Sequence, residues 1–108
     1  MNLNEYTKLT DQTAIYPEAG TGSDLELYYL SLGLTSEAGE VAGKIKKLIR
    51  DQVLDIGAVA YELGDVFYYL CRLCDAVGYS PEDVIEININ KLLDRKARGV
   101  LGGNGDKR

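Results

Sequence analysis

Two short acidic pairs are the groups in this chain whose types and spacing could do chemistry. Glu37 and Glu40 lie three apart, and so do Glu62 and Asp65. At about 100° per residue, that spacing puts each pair on one face of a helix. Lys44 and Lys47 continue the first stripe at spacings of four and three. The stripe borders the apolar positions Leu30, Leu34, Val41 and Leu48, and Glu62 and Asp65 are flanked by Leu63, Val66 and Phe67. Acids beside an apolar face point toward a bundle interior or a cleft, not into open solvent. Carboxylates brought together repel by about 4 kcal/mol per pair at roughly 4 Å and an effective dielectric constant of about 20. Protonation or a bound cation would relieve that repulsion. An all-oxygen donor set favours a hard ion, Mg²⁺ or Mn²⁺. Lys44 and Lys47 could then hold the outer phosphates of an anionic ligand. Surface i,i+4 pairing, such as Glu40 with Lys44, is the alternative that spacing leaves open.

Composition removes most other chemistries. The chain has 108 residues and no histidine, which excludes His-based triads, HExxH zinc sites and Glu-x-x-His di-iron bundles. Twelve Lys and Arg against seventeen Asp and Glu give a net charge of −5, which argues against binding a nucleic-acid backbone. No run of apolar residues approaches a membrane span, and the polar start from Met1 to Asp11 lacks the apolar core of a signal peptide. A soluble cytoplasmic protein is expected. Cys71 and Cys74 form a C-x-x-C inside a helical pattern, without a second pair to complete a zinc site. They read as small core residues in a reducing compartment.

The elements that must position the acids are marked by caps and breakers. Leu3 to Ile15 has loosely helical spacing and is ended by Pro17, Gly20 and Gly22. Ser23 and Glu26 form a capping-box pattern, opening a helix from Asp24 to about Arg50. Gly33, Gly39 and Gly43 weaken that helix by roughly 1 kcal/mol each relative to Ala, so close packing or a ligand near the backbone is expected. A third helix runs from about Gly57 to Val77 and stops at Gly78. Ser80-Pro81-Glu82-Asp83 starts a fourth, continuing to about Arg98 through the β-branched Ile87-Asn88-Ile89. The expected architecture is all-α: an antiparallel four-helix-bundle-type protomer over residues 1–98 with a Gly-rich tail, 99–108. The third helix carries Tyr61, Phe67, Tyr68, Tyr69 and Leu70 around much of its circumference. One face can serve its own chain, so a homo-oligomer is expected, a dimer at minimum and a tetramer by preference.

Ser36-Glu37-Ala38-Gly39-Glu40-Val41 followed by Glu62-Leu63-Gly64-Asp65-Val66 resembles the MazG-type all-α nucleoside triphosphate pyrophosphohydrolases, whose pattern is E-E-x-x-E, a spacer, then E-x-x-D. Tyr29-Leu30, Leu32-Gly33-Leu34, Lys46-Lys47, Arg50-Asp51, Asn88-Ile89, Lys91-Leu92 and the Gly103-x-Gly105-Asp106-x-Arg108 tail extend the resemblance over most of the chain. One position departs: the family's first Glu is Ser36 here, a poor general base. The resemblance implies Mg²⁺-dependent hydrolysis of a nucleoside triphosphate to monophosphate and pyrophosphate, with Mn²⁺ a possible substitute. It implies Glu37, Glu40, Glu62 and Asp65 as metal ligands, with Glu37 or Glu40 also orienting or deprotonating the attacking water. Lys91 and Arg95, with Asn88 on the same polar face, are expected to contact phosphates, from a neighbouring subunit if the site is shared. Their alternative role is charge at a helix C-terminus. The tail is either frayed or a lid over bound nucleotide. Phage relatives point to nucleotide-pool control, with dGTP or GTP as the expected substrate. A non-catalytic nucleotide-binding or regulatory module is the second reading.

Overall fold

The computed structural model describes all 108 residues, Met1–Arg108. It contains four α-helices and no strand: α1 Leu3–Thr10, α2 Asp24–Asp51, α3 Ile56–Ala76 and α4 Pro81–Ala97. Each helix start is capped by a side chain that accepts a first-turn N–H: Asn2 from Glu5, Ser23 from Glu26, Asp55 from Ala58 and Ser80 from Asp83. Such caps satisfy donors that a helix cannot pair internally. Pro81 occupies the first turn of α4, where its missing N–H costs nothing. The Ile-Asn-Ile-Asn run is helical throughout. The α2–α3 connection is four residues long, and it turns at Gln52, whose backbone takes the left-handed conformation at φ 56°.

Helix α1 stops five residues short of the expected Ile15. The hydroxyls of Thr10 and Thr13 donate to carbonyls three residues back, at Thr7 and Thr10, and so compete with continuation of the helix. The capping box at Ser23 is only half made. Ser23 accepts from the Glu26 N–H, but its own N–H goes to Thr21 Oγ1. Glu26 turns elsewhere. Gly20 and Gly22 adopt positive φ, 80° and 70°, which aims both of their N–H groups at one point. The Glu26 carboxylate sits there, accepting from Gly20 at 2.6 Å, Gly22 at 2.9 Å and the Tyr16 hydroxyl at 2.7 Å.

This acid is only 1% exposed. Arg72 on α3, 2% exposed, completes the network. It donates to Tyr16 at 3.3 Å and to Asp11, with which it forms an ion pair. No buried side-chain polar atom is left without a partner. Burial alone would raise the Glu26 carboxyl. The Gly20 N–H, the Tyr16 hydroxyl, the Gly22 N–H and the Arg72 charge together outweigh it, and the group is held below the ordinary carboxylate range.

Helix α2 pairs along its length with α3. The inter-helix contacts run in opposite directions, Glu26 near Arg72, Gly33 at Tyr69 and Glu37 at Asp65 and Glu62, so the pair is antiparallel. Helix α1 lies on α3 and α4, and α4 touches only α1 and α3. The all-α class stands, but α2 and α4 share no packing, so the single chain leaves that side of the expected bundle open. Leu30, at 0% exposure, and Cys71, at 1%, anchor a small core. Both cysteines are buried and unpaired. No helix is long and apolar enough to cross a membrane.

Replacing Glu26 with Ala leaves the Tyr16 hydroxyl and two glycine N–H groups without their buried acceptor and removes the negative charge near Arg72. A loss of about 3 kcal/mol at neutral pH is expected. The folded chain holds Glu26 ionised to lower pH than an unfolded chain does. Its stabilisation is therefore full above the unfolded carboxyl range and fades as pH falls through the depressed folded value. Urea denaturation of both chains across that acid range should show the difference between them shrinking as pH drops.

Candidate active site

Antiparallel pairing places the α2 and α3 acids opposite one another. One carboxylate oxygen each from Glu37, Glu62 and Asp65 lies within 4.8 Å of the other two. Each arrives by a helical repeat: Glu37 one turn beyond Gly33 on α2, and Asp65 three residues after Glu62 on α3. Glu40, one turn beyond Glu37, is exposed and outside this trio, although its charge reaches Glu37. Burial, followed by the charges of Asp65, Glu62 and Glu40, pushes the Glu37 carboxyl above its ordinary range.

No cation of the chain answers this charge. The three ion pairs are Arg50–Asp51, Arg72–Asp11 and Arg98–Asp94. The Glu40–Lys44 surface pair that spacing allowed is not formed. Converging, unpaired carboxylates with only oxygen donors suit a hard divalent ion. Glu37, Glu62 and Asp65 would hold it directly, with Glu40 next to them.

The cationic residues stand apart from the acids. Lys44 and Lys47, with Asp51, Val53, Asp55 and Ala58, line a cavity of ≈ 150 Å³ beside the α2–α3 turn. Asn88 and Lys91 are exposed on α4, which does not touch α2. Arg95 is 5% exposed and donates to the Asp106 carbonyl, so the C-terminal tail covers it. Residues 99–108 fold back on themselves around Arg108. Its guanidinium donates to the carbonyls of Val100 at 3.1 Å, Leu101 at 2.9 Å, Gly102 at 3.1 Å and Gly105 at 2.7 Å. Arg98 holds the Arg108 main-chain oxygen. Three arginines therefore organise the tail on the end of α4.

Sequence reasoning missed Glu26, Tyr69 and Arg72 as parts of the structure around the acids. Tyr69 follows Asp65 by one helical turn, and its hydroxyl is pushed up to about 12 by burial, Tyr29 and Glu37. Tyr16 and Tyr29 stack on each other, with centroids 4.8 Å apart and an interplanar angle of 15°. The signal available in the sequence was the i,i+3 and i,i+4 stripe Glu62, Asp65, Tyr69, Arg72.

The chain is all-α, and its antiparallel pair carries E-x-x-E on α2 opposite E-x-x-D on α3, the arrangement the sequence resemblance implies apart from Ser36. Residues 27–100 match the family model described as the MazG nucleotide pyrophosphohydrolase domain, and the chain belongs to that family. It is 40% identical over 114 residues to the gene 37 protein of Mycobacterium phage L5, with all of both chains covered. No solved structure matches it.

Two outcomes test this geometry. Without divalent cations, Glu37 contributes most to stability below the unfolded carboxyl range, and the contribution is lost as pH rises through its raised folded value. Thermal melts of the metal-free chain should show this loss, and Glu37→Gln should remove it. Arg108→Ala should release the tail, so hydrogen exchange at residues 99–108 accelerates while α2 and α3 keep their protection.

Proposed function

We propose that the protein hydrolyses a nucleoside triphosphate between the α and β phosphates, giving the monophosphate and pyrophosphate, with Mg²⁺ as cofactor and Mn²⁺ as a substitute. The observation that carries this reading is the convergence of Glu37, Glu62 and Asp65 without a neutralising cation, within a family of nucleotide pyrophosphohydrolases. A bound divalent ion would polarise the α-phosphate and lower the pKa of coordinated water. Glu37, Glu62 and Asp65 anchor the cation. Glu40, exposed and adjacent, orients or deprotonates the attacking water, a task that Ser36 cannot take over because a hydroxyl is a weak base. Lys44 and Lys47 receive the outer phosphates from the α2–α3 turn. The substrate is expected to be dGTP or GTP, in a role controlling a nucleotide pool in the cytoplasm, with no nucleic-acid or membrane partner.

The active form is a homo-oligomer, a dimer at least and a tetramer by preference. The chain exposes 7,626 Å², whereas a compact monomer of its mass exposes roughly 5,900 Å². The excess, about 1,700 Å², exceeds what one partner contributes to an interface of standard size, about 800 Å². Its radius of gyration, 16.6 Å, likewise exceeds the value of about 13 Å for a compact domain of this length. Helix α4 exposes Ile85, Ile87, Ile89 and Leu93. Burying them against a second chain would carry Asn88 and Lys91 toward that chain's acids, and Arg95 joins them when the tail lets go.

Incubation with each nucleoside triphosphate and Mg²⁺, followed by separation of products, is the primary test. Monophosphate with pyrophosphate is expected. Diphosphate with inorganic phosphate would refute the bond assignment, and Mg²⁺-dependent binding without turnover would favour the regulatory module. Glu40→Gln and Asp65→Asn should each lower turnover at least about a hundredfold. Both should melt no lower than the parent without metal, because each relieves carboxylate repulsion. Sedimentation at low micromolar concentration should show no active monomer.

A further inference from the structure

Of the three glycines in α2, Gly39 and Gly43 have open space where a side chain would go, but Gly33 does not. A Cβ placed on Gly33 would lie 2.2 Å from Cε1, 2.4 Å from Cδ1 and 2.7 Å from Cζ of Tyr69. The ring therefore lies directly on the bare α2 backbone, in space that any side chain would occupy. Gly33 precedes Glu37 by one helical turn, and Tyr69 follows Asp65 by one. The contact thus sits one layer from the converging carboxylates.

The ring has little room to swing away. Tyr68 packs edge-on against it, with centroids 5.2 Å apart and planes at 86°. Tyr29 flanks it at 6.3 Å and stacks in turn on Tyr16. The Tyr16 hydroxyl is tied to the buried Glu26 and Arg72. This aromatic column joins the buried charge network at one end of the α2–α3 pair to the acids further along.

We propose that the Gly33–Tyr69 contact is a positioning device that sets the α2–α3 separation at the carboxylates, with Tyr69 a positioning residue for the divalent cation. The inference rests on the reading of Glu37, Glu62 and Asp65 as that cation's ligands. Small hard ions tolerate little error in donor placement. Mg²⁺ takes near-ideal octahedral geometry at about 2.1 Å, whereas Ca²⁺ accepts irregular shells at about 2.3–2.6 Å. A methyl group inserted at Gly33 must move either the ring or the helix by more than a tenth of a nanometre, roughly, to reach ordinary van der Waals separation. Widening the pair by that amount should weaken the smaller ion more than the larger one.

Calorimetric titration of the metal-free full chain with MnCl₂, MgCl₂ and CaCl₂ tests this. Gly33→Ala should weaken Mn²⁺ and Mg²⁺ at least about tenfold while Ca²⁺ changes less than about threefold. Tyr69→Phe keeps the ring and should bind all three ions as the parent does. Tyr69→Leu removes the spacer, so the helices close instead of widening and Ca²⁺, the larger ion, should weaken more than Mn²⁺ and Mg²⁺; this reversed order carries the test if Gly33→Ala does not fold, and parental affinity for all three ions would overturn the proposal. A folded Gly33→Ala with parental Mn²⁺ affinity would overturn the proposal, as would an equal loss for all three ions. So would a Tyr69→Phe variant as impaired as Gly33→Ala, which would place the effect in the hydroxyl. Glu62→Gln serves as the control: if it leaves Mn²⁺ binding intact, the cation reading itself falls, whatever Gly33→Ala does.

Discussion

The site depends on one constraint: α2 and α3 must pack closely enough, and in the right register, to hold like charges together. Glu37, Glu62 and Asp65 oppose that packing, and no arginine or lysine relieves them. What resists the repulsion lies elsewhere along the same pair. Leu30 is fully buried, Tyr69 lies on the bare backbone of Gly33, and Glu26 and Arg72 close one end through Tyr16. The helices are thus held by apolar burial and a fully hydrogen-bonded charge network, leaving the acid layer under electrostatic load. Preformed sites for hard ions are built in this way, with rigid elements fixing donors that would otherwise separate.

Two glutamates on one helix show how far environment decides chemistry. Glu26 and Glu37 are both on α2, yet their carboxyls shift in opposite directions. Glu26 is the more deeply buried, but it meets two backbone N–H groups, a phenol and a nearby guanidinium, which favour its charge. Glu37 is less buried and meets three other carboxylates, which disfavour its charge. One is therefore a structural anion whose value is highest at neutral pH. The other is a carboxyl whose charge its neighbours oppose, most stable when that charge is neutralised.

The exterior is as informative as the seam. Only nine of 108 residues are buried, and many large apolar side chains stay exposed. Helix α4 is apolar along much of its exposed length, and the arginines near its end are engaged by their own tail. The antiparallel pair likewise leaves Leu32, Ile49, Tyr61 and Phe67 exposed. The residues on α4 that resemble the family's phosphate contacts do not reach the acids of α2 in their own chain.

Helix identities and starts were legible in the sequence because they follow local rules. Ser23 and Ser80 cap their own helices, and Pro81 and Gly78 act within a few residues of themselves, whereas the Asp55 cap of α3 went unread. The acid pairs were legible for the same reason, since i,i+3 spacing fixes a shared face whatever the partner. The end of α1 was not, because threonine hydroxyls meet it there together with Arg72, which bonds Asp11 from 61 residues further along the chain. Nor was the fate of Glu26: S-x-x-E predicts a return bond to Ser23, but two left-handed glycines and Tyr16 outbid it. Arg95 read as a free cation, and only the fold of the tail shows it covered. The sequence by itself determined four helices, two acidic stripes and membership in a family. The tertiary structure decided which acids meet, what holds them together and which cations stand apart. Those outcomes depend on distances between segments far apart in the chain, and periodicity carries no information about such distances.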